Sequence, residues 1–85
     1  MPLQEEFQQA LLKGMRLSKK ADKKTRDRLD ALCKQATVGD VRGDKPGFFD
    51  FAGKATYKAW ADLAGVSQEE AMRRYIAAVR ELTPP

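Results

Sequence analysis

Histidine is absent from this 85-residue chain, and cysteine occurs once, at Cys33. No internal disulfide can form, and imidazole chemistry, whether a metal site, a catalytic triad or a proton shuttle, has no residue to carry it. No pair of carboxylates or lysines is spaced so as to specify an enzyme, so no catalytic activity and no cofactor are expected. Aromatic residues make up only 8% of the chain, and no apolar run approaches the roughly 18 residues of a membrane span. The start, Met1-Pro2-Leu3-Gln4-Glu5-Glu6, has neither the basic beginning nor the apolar stretch of a signal peptide, so a cytoplasmic protein is expected. Strand-like alternation is missing throughout.

Charged residues are plentiful, at 33% against 42% hydrophobic, a globular balance sufficient for one compact domain. The charge is segregated. Between Lys19 and Gly39 seven basic residues stand against Asp22, Asp27 and Asp30, a net +4 that equals that of the whole chain. A local positive field of this kind favours an anionic partner: a phosphate ligand, nucleic acid or acidic lipid. The same pattern also reads as a solvated helix face carrying mixed-sign pairs, such as Asp27 with Lys23 and Lys24.

Apolar spacing predicts four helices. Phe7, Ala10, Leu11 and Leu17 recur near a 3.6-residue period from Glu5 to about Leu17, with Glu5 and Glu6 placed where the helix dipole favours negative charge. Gly14 costs that helix about 1 kcal/mol relative to alanine, which points to a close helix crossing or to an opening beside a ligand. Asp22 can cap a second helix, where Leu29, Leu32, Cys33 and Ala36 form one stripe and Cys33 reads as a small hydrophobe. Asp50 can cap a third through about Leu63, ended by Gly65 in the left-handed conformation. Ser67 and Glu70 make a capping box for the fourth, whose apolar face carries Ala71, Met72, Tyr75, Ile76, Val79 and Leu82. Tyr75 suits either the core, with its hydroxyl at the rim, or an exposed stacking role.

The long stretch from Ala36 to Asp50 separates the second helix from the third. Three glycines and a proline punctuate it, yet it holds Phe48 and Phe49, which predicts an ordered connection pinned by one of those rings. Just beyond it, Lys54 and Lys58 are four residues apart and share a side of the third helix. They could grip one anion or simply be solvated.

The run Lys34-Gln35-Ala36-Thr37-Val38-Gly39-Asp40, followed by Lys45-Pro46-Gly47-Phe48-Phe49-Asp50-Phe51-Ala52-Gly53-Lys54-Ala55-Thr56-Tyr57-Lys58-Ala59-Trp60, resembles the signature of the acyl-CoA-binding protein family. Phe7 and the segment Ala71-Met72-Arg73-Arg74-Tyr75-Ile76 fit the same pattern, so the likeness covers nearly the whole chain. It implies an all-α, up-down four-helix bundle, with residues 1–85 forming a single acyl-CoA-binding domain. The implied function is binding, buffering and intracellular transport of long-chain fatty acyl-CoA esters without chemical conversion.

By the same resemblance Lys34 meets the ligand's 3'-phosphate, Tyr75 packs near the adenine, and the acyl chain lies in an apolar groove between the second and third helices. The division suits the chemistry: a phosphate needs a charged donor, a purine a planar face and an alkyl chain a dry surface. The chain departs from the family pattern at several ligand positions. Asp30 and Cys33 stand where tyrosines are usual, Thr56 and Met15 where lysines are usual, and Tyr57 replaces a tryptophan. Asp30 would repel phosphate if it faced the site. Lys54 and Lys58 are the candidates to replace the charge missing at Thr56. The expected partners are a fatty acyl-CoA ester and, transiently, acyl-CoA-using enzymes or anionic membranes, with no nucleic acid and a monomeric state. The alternative is a divergent four-helix domain that binds another protein.

Overall fold

Local capping chemistry sets two of the helix starts. In the computed structural model, which describes residues 2–41 and 51–83, the helices are α1 (Leu3–Ser18), α2 (Lys23–Thr37), α3 (Phe51–Ala61) and α4 (Gln68–Leu82). Asp22 Oδ1 accepts from the Thr25 backbone N–H at 2.8 Å, and Ser67 Oγ from that of Glu70 at 3.0 Å, each satisfying an orphan donor of a first turn. The side-chain half of the box at Ser67 takes another course, since the Glu70 carboxylate meets Arg74 Nε at 3.1 Å. At α1 no side chain caps, and the helix begins two residues before the expected Glu5, directly after Pro2. Gly65 has a φ of 88°, the left-handed conformation expected after the third helix. Helix α2 runs on through Thr37, so the connection begins later than Ala36. The pinning by Phe48 or Phe49 and the cap at Asp50 lie outside the described residues.

Contacts between helices reveal their directions. Asp27 meets Thr56, Lys34 lies over Trp60, and Asp40 reaches Gly65, so positions advance together and α2 and α3 run parallel. Gln35 meets Val66, whereas Lys24 and Arg28 share a groove with Arg74, so α4 runs against α2. Leu3 lies beside Glu69 and Met72 while Glu6 meets Arg80, so α1 runs with α4; the order is therefore up-down-down-up, and strict alternation gives way between α2 and α3. Parallel neighbours require the chain to return the length of a helix, which is the physical reason for the long connection.

The core lies where α4 meets α1 and α2. Leu29, Leu32 and Ala36 from α2 join Phe7 and Ala10 from α1 and Ala71, Tyr75, Ile76 and Val79 from α4, with Cys33 half-buried at its margin. The Phe7 and Tyr75 rings meet edge to face, 5.4 Å between centroids. Gly14 lets the Tyr75 hydroxyl end approach α1, because a Cβ there would collide with it. This is the close crossing that the glycine suggested.

Candidate ligand-binding site

Helix α3 packs on α2 and, among the described helices, on no other. Polar contacts fix it there. Trp60 Nε1–H donates to the Gly39 carbonyl at 2.8 Å, and the Lys34 ammonium lies 5.4 Å from the centre of the Trp60 ring. Gln35, fully buried, donates through Nε2 to the Val66 carbonyl at 2.7 Å and to Asp40 Oδ1 at 2.9 Å. Asp40 Oδ1 also accepts from the Gly65 N–H at 3.0 Å, and Thr56 Oγ1 stands 3.5 Å from Asp27 Oδ1.

Because α3 does not close against α4, a groove of about 540 Å³ remains along α2 and α3, with Arg74 of α4 on its far wall. Leu32, Ala55, Ala59 and Leu63 give it an apolar surface, while Lys24, Arg28 and Lys58 stand around its edge with Asp27 and Asp62. Among the described residues Lys24, Arg28 and Lys58 form no ion pair, whereas Arg74 is held by Glu70. Such a surface can take an alkyl chain and present cations to an anionic group at its end.

Of the positions singled out in the sequence, Lys58 lines this groove, whereas Met15, Asp30, Cys33, Lys34, Lys54, Thr56 and Tyr75 do not. At about 100° per residue, Asp30 and Cys33 rise from the side of α2 away from Lys24, Arg28 and Leu32, while Lys34 follows Asp27 along the edge that faces α3. The structure brings several of them into one another's electrostatic field. Burial, and secondarily Cys33 and Asp30, push the Tyr75 phenol up to about 12. The Cys33 thiol is pushed up by burial and by Asp30, against an opposing effect of Lys34, so it behaves as a small hydrophobe and not as a thiolate. Lys34 and Asp30 are exposed, Thr56 and Lys54 half-buried, and Met15 lies out on α1 with 65% of its surface exposed. Tyr75 is 4% exposed, its ring enclosed by Phe7 and Gly14.

The resemblance implied an apolar groove between the second and third helices, but Arg28, Leu32, Ala59 and Leu63 were legible only as helix positions and not as its lining, since nothing local reveals that α3 does not close against α4. Gln35 belongs to the signature run, and that run gave no sign that its amide is the buried tie between α2 and the start of α4.

A helical bundle with an open, cation-edged apolar groove and no catalytic constellation among the described residues defines a ligand-binding class. Residues 4–79 match the family described as "Acyl CoA binding protein". Acyl-CoA-binding domain-containing protein 1 of Oryza sativa subsp. japonica is 42% identical over 82 residues, covering 96% of this chain and 90% of the relative. Acyl-CoA-binding protein homolog 1 of Caenorhabditis elegans is 49% identical over 55 residues, an alignment spanning 65% of this chain and 64% of that relative. The crystal structure of Oryza sativa Acyl-CoA-Binding Protein 2 superposes with a TM-score of 0.88 at 38% identity, over 95% of this chain and 90% of that one. The chain belongs to the acyl-CoA-binding protein family, whose members bind without catalysing, in agreement with the expected lack of enzymatic activity.

Proposed function

We propose that the protein binds fatty acyl-CoA esters one to one, without converting them, and buffers and carries long-chain esters as a cytoplasmic monomer. The groove between α2 and α3 carries this reading: apolar along its length and edged by unpaired cations, it suits an alkyl chain joined to an anionic head. The alkyl chain supplies most of the free energy, at about 0.8 kcal/mol per methylene removed from water. Lys34 holds the 3'-phosphate from the opposite flank of the α2–α3 seam, its ammonium already positioned over Trp60.

Calorimetric titration with coenzyme A and a series of its esters tests the reading. Affinity is expected to climb with chain length until the groove is full, and equal binding of free coenzyme A and a long-chain ester would sink it. Filling the groove with Ala59→Phe is expected to weaken long-chain esters while sparing free coenzyme A. For the head, Lys34→Ala is expected to weaken binding by roughly tenfold, within the range of a charge-assisted hydrogen bond. That loss should disappear with the 3'-dephospho ligand, closing a double-mutant cycle. If Arg28→Ala or Lys58→Ala shows the 3'-phosphate coupling instead, the head lies at the groove edge and the role assigned to Lys34 is wrong.

A further inference from the structure

We infer that the outer face of the C-terminal half of α1 is a docking surface for an anionic lipid bilayer. Leu12 and Met15 are 67% and 65% exposed, and no other large hydrophobic side chain among the described residues stands out as far. Helical geometry groups them with Arg16 and Lys19, opposite Phe7, Ala10 and Gly14, which are buried beneath the helix. Lys13 and Lys20 are exposed beside them. From Phe7 to Ala21 the sequence holds these four cations and no acid. Among the described residues none of the four is engaged in an ion pair.

Two projecting apolar side chains with a basic collar fit a bilayer better than a protein. A stable protein interface needs about 800 Å² per partner, which two side chains do not supply. Shallow insertion beside anionic headgroups needs no such area, and each cation near that surface raises partition roughly fivefold. The helix directions place this end of α1 at the same end of the bundle as the first turns of α2 and α3, where Lys24, Asp27 and Ala55 border the groove. Docking there would bring the groove's end to the bilayer surface, where amphiphiles partition. The inference does not depend on which ligand the groove takes.

Co-sedimentation of the full chain with vesicles of phosphatidylcholine plus phosphatidylserine, and of phosphatidylcholine alone, tests it. The protein should bind the anionic vesicles, release as salt rises, and ignore the neutral ones. The pairs Leu12→Gln with Met15→Gln, and Arg16→Gln with Lys19→Gln, are each expected to lower partition at least fivefold. Arg73→Gln with Arg80→Gln, which removes the same charge elsewhere, should change it less than twofold. Circular dichroism checks that these surface variants stay folded, and coenzyme A titration, read separately, should be unaffected by the two charge pairs. The inference is overturned by no binding, by equal binding to both vesicle types, or by equal losses from the two charge pairs. It is also overturned if Leu12→Gln with Met15→Gln leaves partition unchanged or abolishes a lipid-free self-association, which would mean that a second copy occupies this face.

Discussion

The two sides of α2 are held by different physics. Toward α1 and α4 it presents Leu29, Leu32 and Ala36 to a dry core closed by the Phe7–Tyr75 ring pair. Toward α3 it presents Lys34 and Asp27, and the contacts are a hydroxyl, an ammonium over a ring and, just past the helix, an indole N–H on the Gly39 carbonyl, while the Gln35 amide ties α2 to Val66 at the start of α4. Apolar packing on every side excludes water and leaves no room for a ligand, whereas a helix that packs on one neighbour alone leaves a groove along its free side. Its attachment to α2 alone is what keeps the side toward α4 open.

Removing the polar ties should break this contrast most. Gln35→Ala is expected to cost about 2–4 kcal/mol, because it deletes a buried side chain and strands the Val66 carbonyl. Trp60 is the only tryptophan, so its fluorescence reports the α3 side. In urea that signal should change before the far-ultraviolet dichroism does, and coincident curves would show both sides unfolding as one.

On the core side, Gly14→Ala should destabilise by about 1–3 kcal/mol through overpacking, although alanine favours the helix by about 1 kcal/mol. The loss should shrink in a Tyr75→Phe background, since the phenol oxygen is the nearest obstruction. Ser67→Ala tests a local tie shared by neither side and should cost about 1 kcal/mol in chemical denaturation.

The smallest effect is invisible at neutral pH. Tyr75 ionises at about 12 when folded against an ordinary value of 10, so the advantage of burying a neutral phenol is complete below pH 10 and is lost as pH rises through about 12. Stability of the wild type should therefore fall across that window more steeply than that of Tyr75→Phe. Parallel curves would show that the phenol ionises as it does in the unfolded chain.

Four helices, the caps at Asp22 and Ser67, the turn at Gly65 and the tight crossing at Gly14 were all legible in the sequence. Apart from the Gly14 crossing, whose partner Tyr75 lies far along the chain and which the sequence offered as one of two readings, each depends on residues within a turn or two of one another, where periodicity, hydrogen-bonding reach and the freedom of glycine act locally. Tertiary structure alone decided that α2 and α3 run parallel, that Lys34 rests over Trp60, and that Tyr75 is closed in by α1. It also decided that the groove opens on the flank away from Asp30 and Cys33. Helical period determines which side chains share a face. Which neighbour covers that face, and which flank is left open, depends on packing between segments far apart in the chain.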